Sequence, residues 1–202
     1  QLRSGKSSYV HDPLHVRAVA FESGEGRAVI CLIDAIGIGR EMSDIAKSKA
    51  AKKTGWKTEE MLICATHTHS APKGGTGMPG REAYEKLKHD KLEEAIVLAI
   101  ERLQLAKIGS SSEDEPSEVR NRRWFLEPGN MPPNPLGEKD QVKTNAGRNH
   151  LVRPAGPIDP EICVIDVRNS TNKHLALIAN YALHYVGGVP KKVDENGREF
   201  GM

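Results

Sequence analysis

The sequence predicts an α+β or mixed α/β fold, a layered mixed sheet with flanking helices and with its reactive groups at the carboxyl ends of strands. Three observations lead there. Short apolar strand patterns come in hairpin-like pairs near both ends of the chain. A long amphipathic helical stretch separates them. This mixture departs from the strict strand–helix alternation of a purely parallel sheet. The chain has 202 residues, 38% of them hydrophobic, which suffices for one sizeable core and not comfortably for two, so a single domain is expected over 1–202.

The first pair of strands is VRAVAF (Val16 to Phe21) and RAVICLID (Arg27 to Asp34), joined by Glu-Ser-Gly-Glu-Gly, a glycine-bearing hairpin turn. SDIAKSKAAKK (Ser43 to Lys53) follows as a helix, with Ser43 placed as N-cap and Gly55 as stop. Met61 to Ala65 is apolar on both faces, the pattern of a central strand. Glu82 to Gln104 reads as a helix with Leu92, Ile96, Ala99 and Leu103 on one stripe and Glu93, Glu94, Glu101 and Arg102 off it. A short strand is expected over 107–112. Residues 126–160, dense in Pro, Gly and Asn, read as a long loop, functional or disordered. Two strands follow, Glu161 to Val167 and Leu175 to Ala182, joined through Asn-Ser-Thr-Asn.

Charge excludes several functions. Lys and Arg number 29 against 27 for Asp and Glu, a near-balance that offers no attraction to nucleic acid or to an anionic membrane. Lys47, Lys49, Lys52 and Lys53 are expected on the solvated face of the first helix. No apolar run approaches the roughly 20 residues that span a bilayer. No signal-like segment opens the chain, but its first residue is Gln1, so a leader is left open. Cys31, Cys64 and Cys163 each sit inside an apolar run and form no CxxC pair. They read as buried thiols acting as small hydrophobes, with neither a disulfide framework nor a thiolate metal site.

The chemistry concentrates in ATHTHSAP, Ala65 to Pro72, where an apolar run ends ahead of Lys-Gly-Gly-Thr-Gly. In an extended chain, side chains two apart share a face, so His67 and His69 are expected to point the same way and Thr66 and Thr68 the other. Ligand sites in open α/β sheets gather at such carboxyl ends. Imidazole is both the commonest metal ligand and the side chain that titrates near neutrality. The pair can bind one metal together, or one ring can ligate while its neighbour acts as acid, base or substrate anchor. Lone histidines at strand ends are usually just polar; two at this spacing shift the balance toward function.

The type narrows by exclusion. A metallo-β-lactamase pattern needs Asp and His after Ser70, where this chain has Ala71 and Pro72. An amidohydrolase barrel needs regular βα alternation, which the hairpins contradict. A second candidate is His184 in NYALHYVGG, again at the end of an apolar run before Gly-Gly. Catalytic zinc usually has three protein ligands and one open position, so two histidines leave the shell one or two ligands short. His11, His15, His89, His150 and His174 are weaker candidates with capping, surface or loop roles.

Taken in series, these motifs resemble the neutral/alkaline (non-lysosomal) ceramidases. ATHTHSAP with its glycine-bearing loop resembles that family's signature. NRRW (Asn121 to Trp124) resembles its Asn-Arg element after the long helix. NYALHYVGG resembles the strand that delivers its second metal-binding histidine. The resemblance covers roughly Asp12 to Gly188. It implies a zinc-dependent amidase that hydrolyses the N-acyl bond of ceramide, a small-molecule lipid amide, with Zn2+ held by His67 and His184. It also implies that His69 and Arg122 contact the reacting centre and substrate, Arg123 being the less suitable arginine.

By the same resemblance, contact with a membrane comes only through the lipid substrate, and the location is secreted, periplasmic or membrane-associated. Family members add a glutamate and a tyrosine to the zinc shell from segments downstream of the second histidine. This chain ends at Met202 without a match, so it is expected to be part of a longer catalytic domain and to work with the remainder of it. The proline-rich loop and the Tyr-Val-Gly-Gly after His184 depart from the family pattern where the lipid entrance is shaped. Two alternatives therefore stand beside the leading one: a non-catalytic ceramidase-like binding domain, and a zinc amidase or esterase with a non-sphingolipid substrate.

Overall fold

The computed structural model describes Val10, residues 12–72 and 79–184, and the backbone of the short strands at 192–193 and 199–200. In chain order the elements are β1 (Val16–Ser23), β2 (Gly26–Ile33), α1 (Arg40–Thr54), a single 3₁₀ turn (Thr58–Glu60), β3 (Met61–Ala65), α2 (Arg81–Glu101), β4 (Ala106–Asp114), β5 (Arg123–Leu126), β6 (Lys143–Thr144), β7 (Leu151–Pro154), β8 (Glu161–Asn169), β9 (His174–Tyr181), β10 (Lys192–Val193) and β11 (Glu199–Phe200). Mixed sheets with flanking helices make this an α+β layered fold. The chain forms two compact units, one reaching to Leu105 and including β10–β11, the other running from Ala106 to His184.

In the first unit the sheet order is β1-β2-β3, β2 antiparallel to β1 and parallel to β3. Strand alternation puts Val29, Cys31 and Ile33 on one face, in register with Ala20, Ala18 and Val16 on one side and with Met61, Ile63 and Ala65 on the other. That face meets the helices. Ala46 and Ala50 of α1 and Leu92 and Ile96 of α2 are fully buried in the same cluster. Small alanines let α1 approach closely, and the long Leu92 and Ile96 fill the layer between. Burying a side chain of that size contributes about 1.5–3 kcal/mol.

α1 starts three residues before the expected Ser43. Its N-cap is Gly39, and Ser43 N–H donates to the Gly39 carbonyl as an ordinary first-turn bond. Gly55 ends it in the left-handed region at φ 74°, as glycine stops do. Lys49 and Lys53 do more than face water: both pair with Glu93 of α2, Lys53 at 2.6 Å. Leu103, expected on the buried stripe of α2, lies beyond the helix end and is 37% exposed.

Among the described residues β3 is an edge strand and not the expected central one, since β2 is its sole neighbour there and Leu62 is 56% exposed on the uncovered face. An apolar run on both faces did not distinguish a strand covered on both sides from one whose outer face is open.

The second unit holds two antiparallel sheets, β4-β8-β9 and β6-β5-β7. The second of these corrects the sequence reading of 126–160, which is not structureless: β6 and β7 flank β5, and Gly129 and Gly137, both at φ 85°, lie in the connection from β5 to β6. Those strands are too short for a period-2 signal, and proline masked them. The Asn-Ser-Thr-Asn turn joins β8 to β9 as expected, with Asn169 Oδ1 accepting from the N–H groups of Thr171 and Lys173. Cys31 is buried, Cys64 half-buried and Cys163 exposed, so the small-hydrophobe role holds for the first and fails for the last.

Candidate functional site

The carboxyl ends of β2 and β3, parallel neighbours, arrive together. The ladder continues one step past β3 through Thr66 N–H donating to the Ile33 carbonyl at 3.0 Å. The chain then breaks out of the extended state. His67 has φ 60°, in the left-handed region that non-glycine residues seldom occupy. Its Nδ1 lies 2.7 Å from the carbonyl oxygen of Ile36, just beyond β2. A carbonyl only accepts, so Nδ1 carries the proton and, in the neutral ring, Nε2 carries the lone pair. Metal-ligating histidines are oriented in this way by a donor bond from their other nitrogen.

The two threonines work on the backbone. Thr66 Oγ1 accepts from Thr68 N–H at 3.4 Å, and Thr68 Oγ1 from Ser70 N–H at 3.3 Å. These small side-chain turns fold the segment so that the rings of His67 and His69 stand 5.0 Å apart, edge to face at 86°. The rings are neighbours, but not by the strand alternation that the sequence suggested. The left-handed turn at His67 places them. The Lys-Gly-Gly-Thr-Gly loop and Tyr-Val-Gly-Gly lie outside the described residues, as does His11.

His184 follows β9 and is the last residue before the chain passes back to the first unit. His67, His69 and His184 each offer one ligand atom, all within 4.8 Å of one another, and this group could hold a metal ion. A tetrahedral zinc with bonds of 2.0–2.1 Å sets its ligands about 3.3 Å apart. An all-imidazole donor set suits zinc.

Arg122 lies in the second unit, exposed. Its Nε donates to Asn145 Oδ1 at 2.8 Å, and Asn145 N–H donates to the Arg122 carbonyl at 2.8 Å. Asn121 braces the preceding turn, its Oδ1 accepting from Arg123 N–H, its Nδ2 donating to the Pro157 carbonyl, and its own carbonyl accepting from Trp124 Nε1. The conformation of NRRW thus rests on its asparagine. Arg123, at the start of β5, is exposed.

Three of the remaining described histidines serve the scaffold, while His89 on α2 has a buried Nδ1 with no hydrogen-bond partner among the described residues. His15 N–H donates to Asp34 Oδ2, closing the open end of the β1–β2 hairpin. His150 pairs with Glu127 at 3.0 Å. His174 Nδ1 meets Asp166 Oδ1 at 2.8 Å while Arg168 Nε holds the other oxygen at 2.7 Å. The Arg168 bond, and then that of His174, pulls the Asp166 carboxyl below its usual range. The Ile36 carbonyl and Asn145 were invisible to the sequence reading, since a backbone carbonyl has no residue signature and Asn145 sits in an unpatterned stretch.

Comparison with known proteins gives fold kinship. No family model and no curated protein matches the sequence. Among solved structures, the chain is similar to the neutral ceramidase of Pseudomonas aeruginosa. The TM-score is 0.54 at 20% identity, over 81% of this chain and 25% of that one. A ceramidase complexed with C2 is also similar, at TM-score 0.45 and 19% identity, with the same coverage of each chain. The first likeness shows a shared fold, and this chain spans about a quarter of that ceramidase's length.

Proposed function

We propose that the chain carries part of the active site of a zinc-dependent hydrolase of the neutral ceramidase type, which cleaves the N-acyl amide bond of ceramide or a related N-acyl lipid. The observation that supports this reading most is the meeting of His67, His69 and His184, with the His67 ring held through Nδ1 by the Ile36 carbonyl. The fold shared with a neutral ceramidase supports the substrate class.

In this reading His67 and His184 hold the metal. Bound zinc polarises a carbonyl and lowers the pKa of a water, the two things amide hydrolysis needs. His69, its ring against that of His67, holds the substrate's carbonyl end by hydrogen bonding. The Arg122 guanidinium supplies a fixed positive charge for the oxygen that becomes negative as the amide goes tetrahedral. The remaining ligands, a glutamate and a tyrosine by family resemblance, come from elsewhere in the working enzyme.

The test is metal content followed by turnover in the natural full-length protein. Near one zinc per chain is expected, falling steeply in His67→Ala and His184→Ala. Chelation should abolish hydrolysis of ceramide, and zinc should restore it. A protein that copurifies with no zinc and gains no activity when zinc is added refutes the proposal. Hydrolysis of short water-soluble N-acyl amides without any of ceramide would keep the metal and replace the substrate.

A further inference from the structure

Arg122 is held differently from the arginines that have a carboxylate or ring partner. Arg17, Arg27, Arg40 and Arg168 each pair with a carboxylate. Arg120 and Arg153 lie over the rings of Trp124 and Phe125. Arg122 is bonded through Nε alone, to a neutral amide oxygen. Among the described residues its two terminal nitrogens meet no acceptor, and no carboxylate offsets its charge.

The clamp is reciprocal. The main-chain bond from Asn145 N–H to the Arg122 carbonyl extends the β5–β6 ladder one step beyond the Arg123–Thr144 pair. The side-chain bond then uses the same two residues. Asn145 can do both because it sits at φ 53°, a left-handed conformation that Asn and Asp tolerate better than most residues. On the other side Asn121 fixes the turn, and Gly156 packs so closely on Asn121 Nδ2 that an added Cβ would stand 3.2 Å from it. An arginine anchored at Nε has its guanidinium plane restricted while both terminal NH2 groups keep their donors for a further acceptor.

We infer that Asn145 is a positioning residue for Arg122. It fixes the guanidinium without neutralising it and so presents two terminal donors to the amide oxygen on which negative charge develops. The inference rests on the proposed role of Arg122 as a substrate contact, and it adds a residue that the motif resemblance does not supply.

Two substitutions keep the backbone and differ in the side chain. Asn145→Gly accepts the left-handed φ and removes the acceptor. Asn145→Asp accepts it and keeps an acceptor oxygen. The natural full-length protein is assayed on a fluorogenic N-acyl amide, with zinc content, melting temperature and hydrogen exchange of the Arg122 Nε–H recorded in parallel. Arg122→Ala should lose about 100-fold in kcat, the order expected when a reacting group is misplaced by 1 Å or removed. Asn145→Gly should lose about tenfold in kcat, with KM, zinc content and melting temperature held, and the Nε–H should exchange faster. Asn145→Asp should restore the slow exchange and recover only part of the loss in kcat, because its carboxylate holds Nε and also offsets the guanidinium charge.

An inactive Arg122→Ala beside a fully active Asn145→Gly overturns the inference alone. So does an equal loss in Asn145→Gly and Asn145→Asp, or a melting temperature that falls in step with kcat. Wild-type kcat in Arg122→Ala overturns the assigned role of Arg122 and the inference with it.

Discussion

Replacing His67 by glycine and, separately, by alanine divides the strain at that position from its chemistry. Its φ of 60° carries the left-handed penalty of roughly 1–2 kcal/mol for a residue with a Cβ. Against this stands one bond from Nδ1 to the Ile36 carbonyl, worth about 1 kcal/mol net. Ile36 is 41% exposed, so water can replace the ring without leaving a buried carbonyl unmade.

His67→Ala keeps the strained backbone and loses the bond, for a loss of about 1 kcal/mol. His67→Gly loses the same bond and relieves the strain, less roughly 0.5–1 kcal/mol for the greater freedom of glycine in the unfolded chain. The glycine variant should therefore be the more stable of the two by roughly 0.5–1 kcal/mol. For a chain of 202 residues that is a melting temperature about 1–4 °C higher. Zinc at 100 times its dissociation constant should stabilise the parent by about 2.7 kcal/mol and both variants far less. Differential scanning calorimetry with and without zinc reads both effects. Coincident melting of the two variants would deny the left-handed strain, and an undiminished zinc shift in either would remove His67 from the shell.

Two further outcomes follow from the core. Leu92→Ala deletes a side chain with 0% exposure between sheet and helices and should lose about 3–4 kcal/mol in urea unfolding, whereas Leu87→Ala on the 51%-exposed side of the same helix should lose well under 1 kcal/mol; equal losses would contradict the burial. Burial, and then the neighbouring Cys64, pushes the Cys31 thiol up to about 12. The folded state thus retains a proton that the unfolded state gives up near pH 9, so this contribution is intact below pH 9 and declines by up to about 1.4 kcal/mol per pH unit toward pH 12. Unfolding titrations of the parent and Cys31→Ala should diverge only in that alkaline window; parallel curves across it would refute the assignment.

The elements with strong periodicity were legible in the sequence. β1, β2, β3, α2, β8 and β9 form where alternation or helical spacing placed them, because each buries one face against a neighbour and that burial leaves a pattern. What was not legible depends on partners rather than on pattern. β5, β6 and β7 are held by each other across a proline-rich stretch. The outer position of β3 depends on which strand lies beyond it. The histidine pair was found for its residue types and spacing, while its geometry comes from one left-handed residue and two threonine turns, which an extended-chain rule does not anticipate. Arg122 was found by its motif. The asparagine that grips it lies 23 residues away and leaves no local trace.

The placement of β8 between β4 and β9 makes the second unit its own ruler. All nine residues of β8 align with β4, and Ile162 to Val167 align without interruption with β9. In an antiparallel sheet the successive amides of the middle strand bond to one side and then the other, while each outer strand turns every second amide to solvent. Deuterium uptake resolved by residue should therefore be slow along β8 and should alternate, fast and slow, along β4 and β9. The phase of that alternation would report the alignment of the three strands without any coordinates.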